Sequence, residues 1–332
     1  MFYMKARISE EQLINLAKAA APEYIGDDAA ILPQIGGNNY VISKDLFVEN
    51  VHFRTSYCTM EDIAHKALHV NLSDIAAMGA RPLFALCGAA IPLKQQSQAA
   101  ELLQALIVSA NNSGVKLIGG DTTKSNSELM LSITIIGAAE NTMLKKRSTA
   151  QVGDYICIAG ELGAAHLGLT ALEGKLAGFL RYKKVFLHPI AKQAEGIWLG
   201  KQKSVRSMMD ISDGLYTDLG KLCKASNVSA KIETNSFHLS DDFKSSCHQL
   251  NLDPLHASLT GGEDYGLLFT VEDDVYTKLA NDFKQVFGYN IKKIGKIIDT
   301  SRDGSAVQIT TDGACNNLSL RPYEHFCNEN IF

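Results

Sequence analysis

The chain has 332 residues, 46% of them hydrophobic and 20% charged, with 32 basic and 36 acidic side chains and a formal net charge of −4. This length suggests two domains of ordinary size, and the composition excludes disordered and fibrous classes. The slightly acidic balance offers no overall basic face for nucleic acid. Seven scattered cysteines without a C-x-x-C spacing argue against a disulfide framework or a zinc ribbon and for a reducing compartment. The opening MFYMKARISEEQL lacks the apolar core of a secretory leader, and the longest apolar run, residues 83–93, is too short to span a bilayer. The expectation is a cytoplasmic protein with neither membrane nor nucleic acid as a partner.

Hydrophobic periodicity predicts an α/β chain in which strands and helices alternate. EEQLINLAKAA reads as a helix, and NYVIS as a strand that ends at Asp45. A long helix follows over 60–78, opened by Thr59 as N-cap with Asp62 three residues on. Another helix covers 96–112. VKLIGG and LMLSITIIG read as strands, the second rich in β-branched residues and expected to be buried. The polar, aperiodic KKRSTAQVGD (145–154) marks a domain boundary, giving domains 1–148 and 149–332. Beyond it, YICIAG, SVRSMMD, GLLFTV and IKKIGKII are predicted strands. GAAHLGLTALEG, LYTDLGKLCKAS and DVYTKLANDFKQVF are predicted helices.

Acids recur at the seams between these elements: Asp27 and Asp28 in IGDDAA, Asp45 in VISKD, Asp121 in LIGGDTT, Asp210 and Asp213 in DISDGL, Glu263 and Asp264 in TGGEDY. Singly, each reads as a turn or an N-cap. Asp74 is neither, because it stands in mid-helix within the apolar NLSDIAAMGA, on one side with Asn71 and Met78. Carboxylates that converge cannot all ionise cheaply without a cation, and oxygen ligands suit Mg²⁺, Mn²⁺ or Ca²⁺ rather than zinc. The paired glycines 119–120 and 261–262 allow backbone N–H groups to approach phosphate oxygens. Acids, a hard cation and phosphate together point to nucleotide chemistry. A Walker A loop is absent, as is the protein-kinase motif set. His65 and His69 read as helix-surface or packing histidines, GELGAAHLG as a strand-to-helix turn that either packs tightly or faces phosphate, and the cysteines as packed thiols.

GDDAA, ENVHF, NLSDIAAMGARP, GGDTT, DISDGL and GGEDYGLLFT together resemble the thiamine-monophosphate kinases of the aminoimidazole-ribonucleotide-synthetase-like superfamily, in order from residue 25 to 326. The resemblance implies two α/β domains with mixed sheets and a homodimer paired through the N-terminal domains. It implies transfer of phosphate from ATP to thiamine monophosphate, giving thiamine diphosphate. By motif, Asp28, Ser43, Asp45, Asp74, Asp121, Asp210 and Asp213 would hold several Mg²⁺ ions. Gly120, Asp121, Arg147 and Ser212 would bind ATP, with Asp121, Asp210 and Arg147 carrying catalysis. His52 and Glu263 would contact thiamine monophosphate. The chain departs from the family at Lys44, Asn50, Gly266 and Leu320, the last standing where a stacking aromatic is usual; Tyr323 or Phe326 are the candidate replacements. The alternatives are another enzyme of the superfamily, such as an aminoimidazole ribonucleotide synthetase, or a non-catalytic binder of metal and nucleotide.

Overall fold

The computed structural model describes residues 9–35, 38–301, 304–312, 314–315 and 320. Two mixed sheets organise the described residues. The first comprises β1 (Ala30–Ile35), β2 (Asn38–Val48), β3 (Arg81–Pro92), β4 (Lys116–Ser125) and β5 (Met130–Ala139) in the order β1-β2-β5-β3-β4. Its only parallel pair is β3 with β4. Helices α1 (Glu10–Ala20), α2 (Met60–Ala77) and α3 (Ala99–Asn112) belong to this half.

The second sheet comprises β6 (Tyr155–Ala159), β7 (Val205–Asp210), β8 (Ser229–Glu233), β9 (Leu267–Val271), β10 (Lys292–Ile298), β11 (Val307–Thr311) and β12 (Ala314–Cys315). Their order is β12-β11-β8-β10-β6-β9-β7, antiparallel except for β8 with β11. The helices of this half are α4 (Ala164–Glu173), α5 (Leu180–Leu187), α6 (Gln193–Gly200), α7 (Leu215–Ser226), α8 (Asp241–Gln249), α9 (Pro254–Thr260) and α10 (Tyr276–Phe287).

Helix α2 is the element that both halves share. The predicted capping box is present: the Thr59 hydroxyl accepts from the Asp62 N–H, and the Asp62 carboxylate accepts from the Thr59 N–H. One side, with Ile63, Ala67, Leu68 and Ile75, packs with Leu131, Ile133 and Ile135 of β5 and with Val41 and Phe47 of β2. The far end, Ala76 and Ala77, joins a core with Leu199, Met208 and Phe269 of the second half. A helix buried on both sides must be small-sided as well as apolar, which explains its alanines. Helix α6 crosses it so closely that a Cβ on Gly196 would stand 2.2 Å from the Ala76 carbonyl oxygen.

Several expectations change. Strand β2 runs three residues past Asp45, and β4 four past Asp121, so neither acid ends a strand. Strand β5 is buried on one face only, with alternate residues half-exposed. Strand β3 is missing from the sequence reading because its second half opens with Cys-Gly-Ala-Ala and closes on Pro92, with weak strand propensity. The aperiodic segment after β5 is strapped down: Lys145 Nζ donates to the carbonyls of Gln202 (2.9 Å) and Val205 (2.7 Å). No helix among the described residues is long and apolar enough to cross a membrane.

Candidate active site

The acid at mid-helix gathers the others. Asp74 projects from α2 toward β2, where the Ser43 hydroxyl donates to it, and Asn71, one turn earlier, accepts the Asp45 N–H at 3.0 Å. Ser43 and Asp45 share the helix-facing side of β2. Lys44 lies on the other side, exposed, with its ammonium on Ser132, so it stays clear of the acids. Asp210, the last residue of β7, is 2% exposed and accepts from the Ser73 hydroxyl at 2.7 Å. Asp28 comes from the loop before β1. Carboxylate oxygens of Asp28, Asp74 and Asp210 lie within 4.8 Å of one another. Burial pushes Asp74 well above the usual carboxylate range, with Asp210, Asp45 and Asp28 adding repulsion. Asp210 is raised for the same reasons, burial first and then Asp28. Such a crowded, oxygen-only donor set fits a hard divalent cation.

Arg147 is the cation already present. Its Nη2 and Nε reach Asp28 Oδ1 at 2.7 Å and Oδ2 at 3.2 Å, a bidentate pair across the chain, and its backbone N–H donates to Asp27 at 2.8 Å. Burial opposes the guanidinium charge, but Asp28 and Asp210 hold it well above its ordinary value.

DISDGL forms a turn fixed from behind. Asp218 of α7 accepts the N–H groups of Ser212 (3.0 Å) and Asp213 (2.9 Å), while Lys221 pairs with Asp213 and, at 2.9 Å, with Asp218. The GGEDY loop zips onto the same turn: Glu263 N–H donates to Ser212 O at 2.7 Å, and Tyr265 N–H to Ile211 O at 2.9 Å. The two neighbouring acids of that loop part company. Glu263, at φ 65°, turns toward α2, where Lys66 Nζ stands 3.0 Å from Oε1. Asp264 turns away and caps α4, accepting from Gly163 (2.6 Å) and Ala165 (3.2 Å), with burial pushing it up to about 7. Asp264 therefore serves α4, and GELGAAHLG forms a strand-to-helix turn packed closely enough that a Cβ on Gly163 would stand 2.7 Å from the Ala257 carbonyl oxygen. Gly266 is explained by packing, since a Cβ there would meet the Ala159 carbonyl oxygen at 3.2 Å.

His52 lies in the turn after β2, its Nδ1 accepting from Val48 N–H at 3.0 Å and its ring stacked on Phe47. Asn50 takes the left-handed conformation, φ 67°, that this turn requires. His65 and His69 pack as expected, their ring centroids 4.1 Å apart beside His188. Cys58, Cys157, Cys223 and Cys247 are buried thiols.

Gly120 and Asp121 are not brought to the acids within one chain. Register places Asp121 beside Gly88, Ser132 and Leu46 on the open face of the first sheet, whereas Asp45 faces α2. Strand β4 is three strands from β2, about 14 Å at the usual spacing. Leu320 packs against the second core; Tyr323 and Phe326 lie outside the described residues. Lys66, which meets Glu263, was not among the candidates read from the sequence. Its signal was the same as that of Asp74, a charge in mid-helix among apolar neighbours.

The fold and this acid cluster define a class. The model of the AIR synthase related protein N-terminal domain matches residues 26–139, and that of the C-terminal domain matches 151–308. Within that class the chain belongs to the thiamine-monophosphate kinase family. It is 32% identical over 308 residues to the thiamine-monophosphate kinase of Bacillus subtilis, spanning 91% of this chain and 93% of that one. Identity to the Haemophilus influenzae enzyme is 34% over 91% of each chain. The structure of AaThiL complexed with AMPPCP and TMP superposes with a TM-score of 0.84 at 27% identity, covering 97% of this chain and 100% of that one. For the Stenotrophomonas maltophilia thiamine-monophosphate kinase the TM-score is 0.75 at 28% identity, over 94% and 98%. Likeness to a chain of a HypE–HypF complex, TM-score 0.73 at 22% identity, extends to the fold alone.

Proposed function

We propose that the chain transfers the γ-phosphoryl group of ATP directly to the phosphate of thiamine monophosphate, giving thiamine diphosphate. The observation that carries this is the convergence of Asp28, Asp74 and Asp210, from three separate segments, beside Arg147 in a chain of this family. The acceptor is itself a phosphate, with a second pKa near ~6, so it is largely ionised at cellular pH and needs no general base. What remains is to bring two polyanions together. Asp28, Ser43, Asp45, Asp74, Asp210 and Asp213 would hold Mg²⁺, which supplies charge neutralisation for both phosphates. Arg147, fixed at the edge of the cluster, would orient the nucleotide phosphates, helped by Ser212 of the zipped turn. His52 and Glu263 would hold thiamine monophosphate.

The proposed assembly is a homodimer, and Asp121 is the reason. Strand β4 is an open edge on which Ile118 is the unpaired residue of a bulge, 54% exposed, and Leu46 on the adjoining open face is 53% exposed. A second copy seated on that face would cover both, and the Gly120 and Asp121 proposed to complete the site are those of the second copy. Gly120 permits no side chain there, since a Cβ would fall 1.8 Å from the Cys87 carbonyl oxygen. The reduced, buried thiols favour the cytoplasm.

A ³¹P NMR time course with ATP, Mg²⁺ and thiamine monophosphate tests the activity. ADP and thiamine diphosphate should appear together, and only in the complete mixture. Intact ATP would reject the proposal in favour of a binding protein, and ADP with inorganic phosphate alone would favour another reaction of the superfamily.

A further inference from the structure

Lys66 stands in the middle of α2 with its side chain 2% exposed. A buried ammonium is kept where it is paired. Its Nζ lies 3.0 Å from Glu263 Oε1 and 3.3 Å from the centroid of the Phe186 ring on α5. The approach to Glu263 is close but not aligned as a hydrogen bond, and no other acceptor reaches the ammonium among the described residues. Glu263 is the opposite case: its side chain is 25% exposed, on a left-handed backbone at φ 65° that is pinned by its N–H bond to Ser212. Tyr265, two residues on, is buried within reach of the charges of Glu263, Asp45, Asp210 and Asp213.

The geometry of α2 links this pair to the acid cluster. Ser73 is seven residues beyond Lys66, two turns along the same face and about 10 Å away. Ser73 fixes Asp210, and Lys66 meets Glu263. One helix face thus holds an acid of the metal cluster and the acid of the substrate end, both from the second half of the chain. Removing the ammonium would take away the charged partner that the Glu263 carboxylate has on α2.

We propose that Lys66 is a positioning residue for the thiamine monophosphate end of the site, holding the Glu263 carboxylate oriented toward the cationic thiazolium and the amino-bearing pyrimidine of that substrate. This rests on the proposed contact between Glu263 and thiamine monophosphate. Lys66→Met keeps the aliphatic stem on Phe186 and removes the charge. It is expected to raise KM for thiamine monophosphate roughly tenfold, the loss typical of one charged contact, while KM for ATP stays within about twofold. Glu263→Gln should raise the same KM, and the double variant should be no worse than Glu263→Gln alone, because both changes act through one carboxylate. The proposal is overturned if Glu263→Gln raises that KM and Lys66→Met does not. It is equally overturned if Lys66→Met raises both KM values alike, or if the two effects simply add. An unchanged KM in Glu263→Gln would remove the substrate contact itself, and the proposal with it. Should Lys66→Met not fold, Lys66→Gln carries the same comparison. Failure of both to fold would assign the ammonium to the fold and overturn the proposal.

Discussion

Asp74 shows how a side chain can be costly to the fold when its proposed role in the site requires a buried charge. Burial and three neighbouring carboxylates push its pKa up, so its charged form destabilises the metal-free protein. Asp74→Asn retains an acceptor for Ser43 and removes that charge. At mildly alkaline pH in EDTA the variant should be more stable than the parent, by about 1 kcal/mol or more. It should also lose the upward shift of Tm on adding Mg²⁺, and turnover should fall on the order of a thousandfold. Thermal melts with and without Mg²⁺, beside the coupled assay, check all three; a variant less stable than the parent in EDTA would contradict the crowding argument.

Two helices make testable claims at the scale of the element. Helix α4 begins at Gly163 with no cap of its own, and Asp264 supplies one from 101 positions away. Burial raises the folded pKa of Asp264 to about 7 from the ordinary 3.8. Between those values the folded protein keeps a proton that the unfolded chain has released. Stability therefore falls as pH rises through that window, by up to about 1.4 kcal/mol per pH unit from this one group, and levels off above it. Asp264→Asn should flatten that part of the Tm profile, and a profile identical to the parent's would show that the group is not so shifted. Helix α6 meets α2 through Gly196. Gly196→Ala would press a methyl against the Ala76 carbonyl, two residues from Asp74, at a cost of about 1–3 kcal/mol. A Tm lowered by several degrees together with a weaker Mg²⁺ response is expected, because α2 carries Asp74 and the Ser73 hydroxyl that holds Asp210.

At the scale of the whole molecule, the open face of the first sheet and the position of Asp121 both bear on the proposed dimer. If a second copy completes the site, Asp74→Asn and Asp121→Asn are each inactive alone, yet mixed dimers contain one site free of both changes. Refolding the two inactive variants together should recover up to about a quarter of parental activity, as random pairing of two subunits requires. No recovery would place Asp121 outside the site or inside its own chain's cluster. Leu46→Lys, on the same face, should shift the protein toward monomer in sedimentation and lower turnover with it.

How much of this was legible in the sequence depended on how local the cause was. The Thr59–Asp62 capping box, α1, α2 and α7 follow from periodicity and caps within a few residues, and so they could be read directly. Asp74, which meets Asp28 and Asp210, was legible as a candidate because a mid-helix acid among apolar neighbours contradicts its surroundings. The contribution of Lys66 came to light only when Glu263 was found beside it, 197 positions later. The DISDGL turn was legible as a motif, but its support by Asp218 and its zipping to GGEDY depend on contacts between elements. Asp264 looked like Glu263 in the sequence and differs from it in space, because adjacent residues on a tight turn point to opposite sides. Asp45 and Asp121 read alike as strand-end acids, yet they lie mid-strand on opposite faces of one sheet. Strand order, register and the bulge at Ile118 decide that, and these are long-range pairings that local pattern does not encode. The sequence by itself determined which residue types the proposed chemistry draws on, since acids, glycines and an arginine in this series suit phosphate and metal. Tertiary structure alone decided which of them meet, because the distances between side chains from distant segments are set by packing around α2.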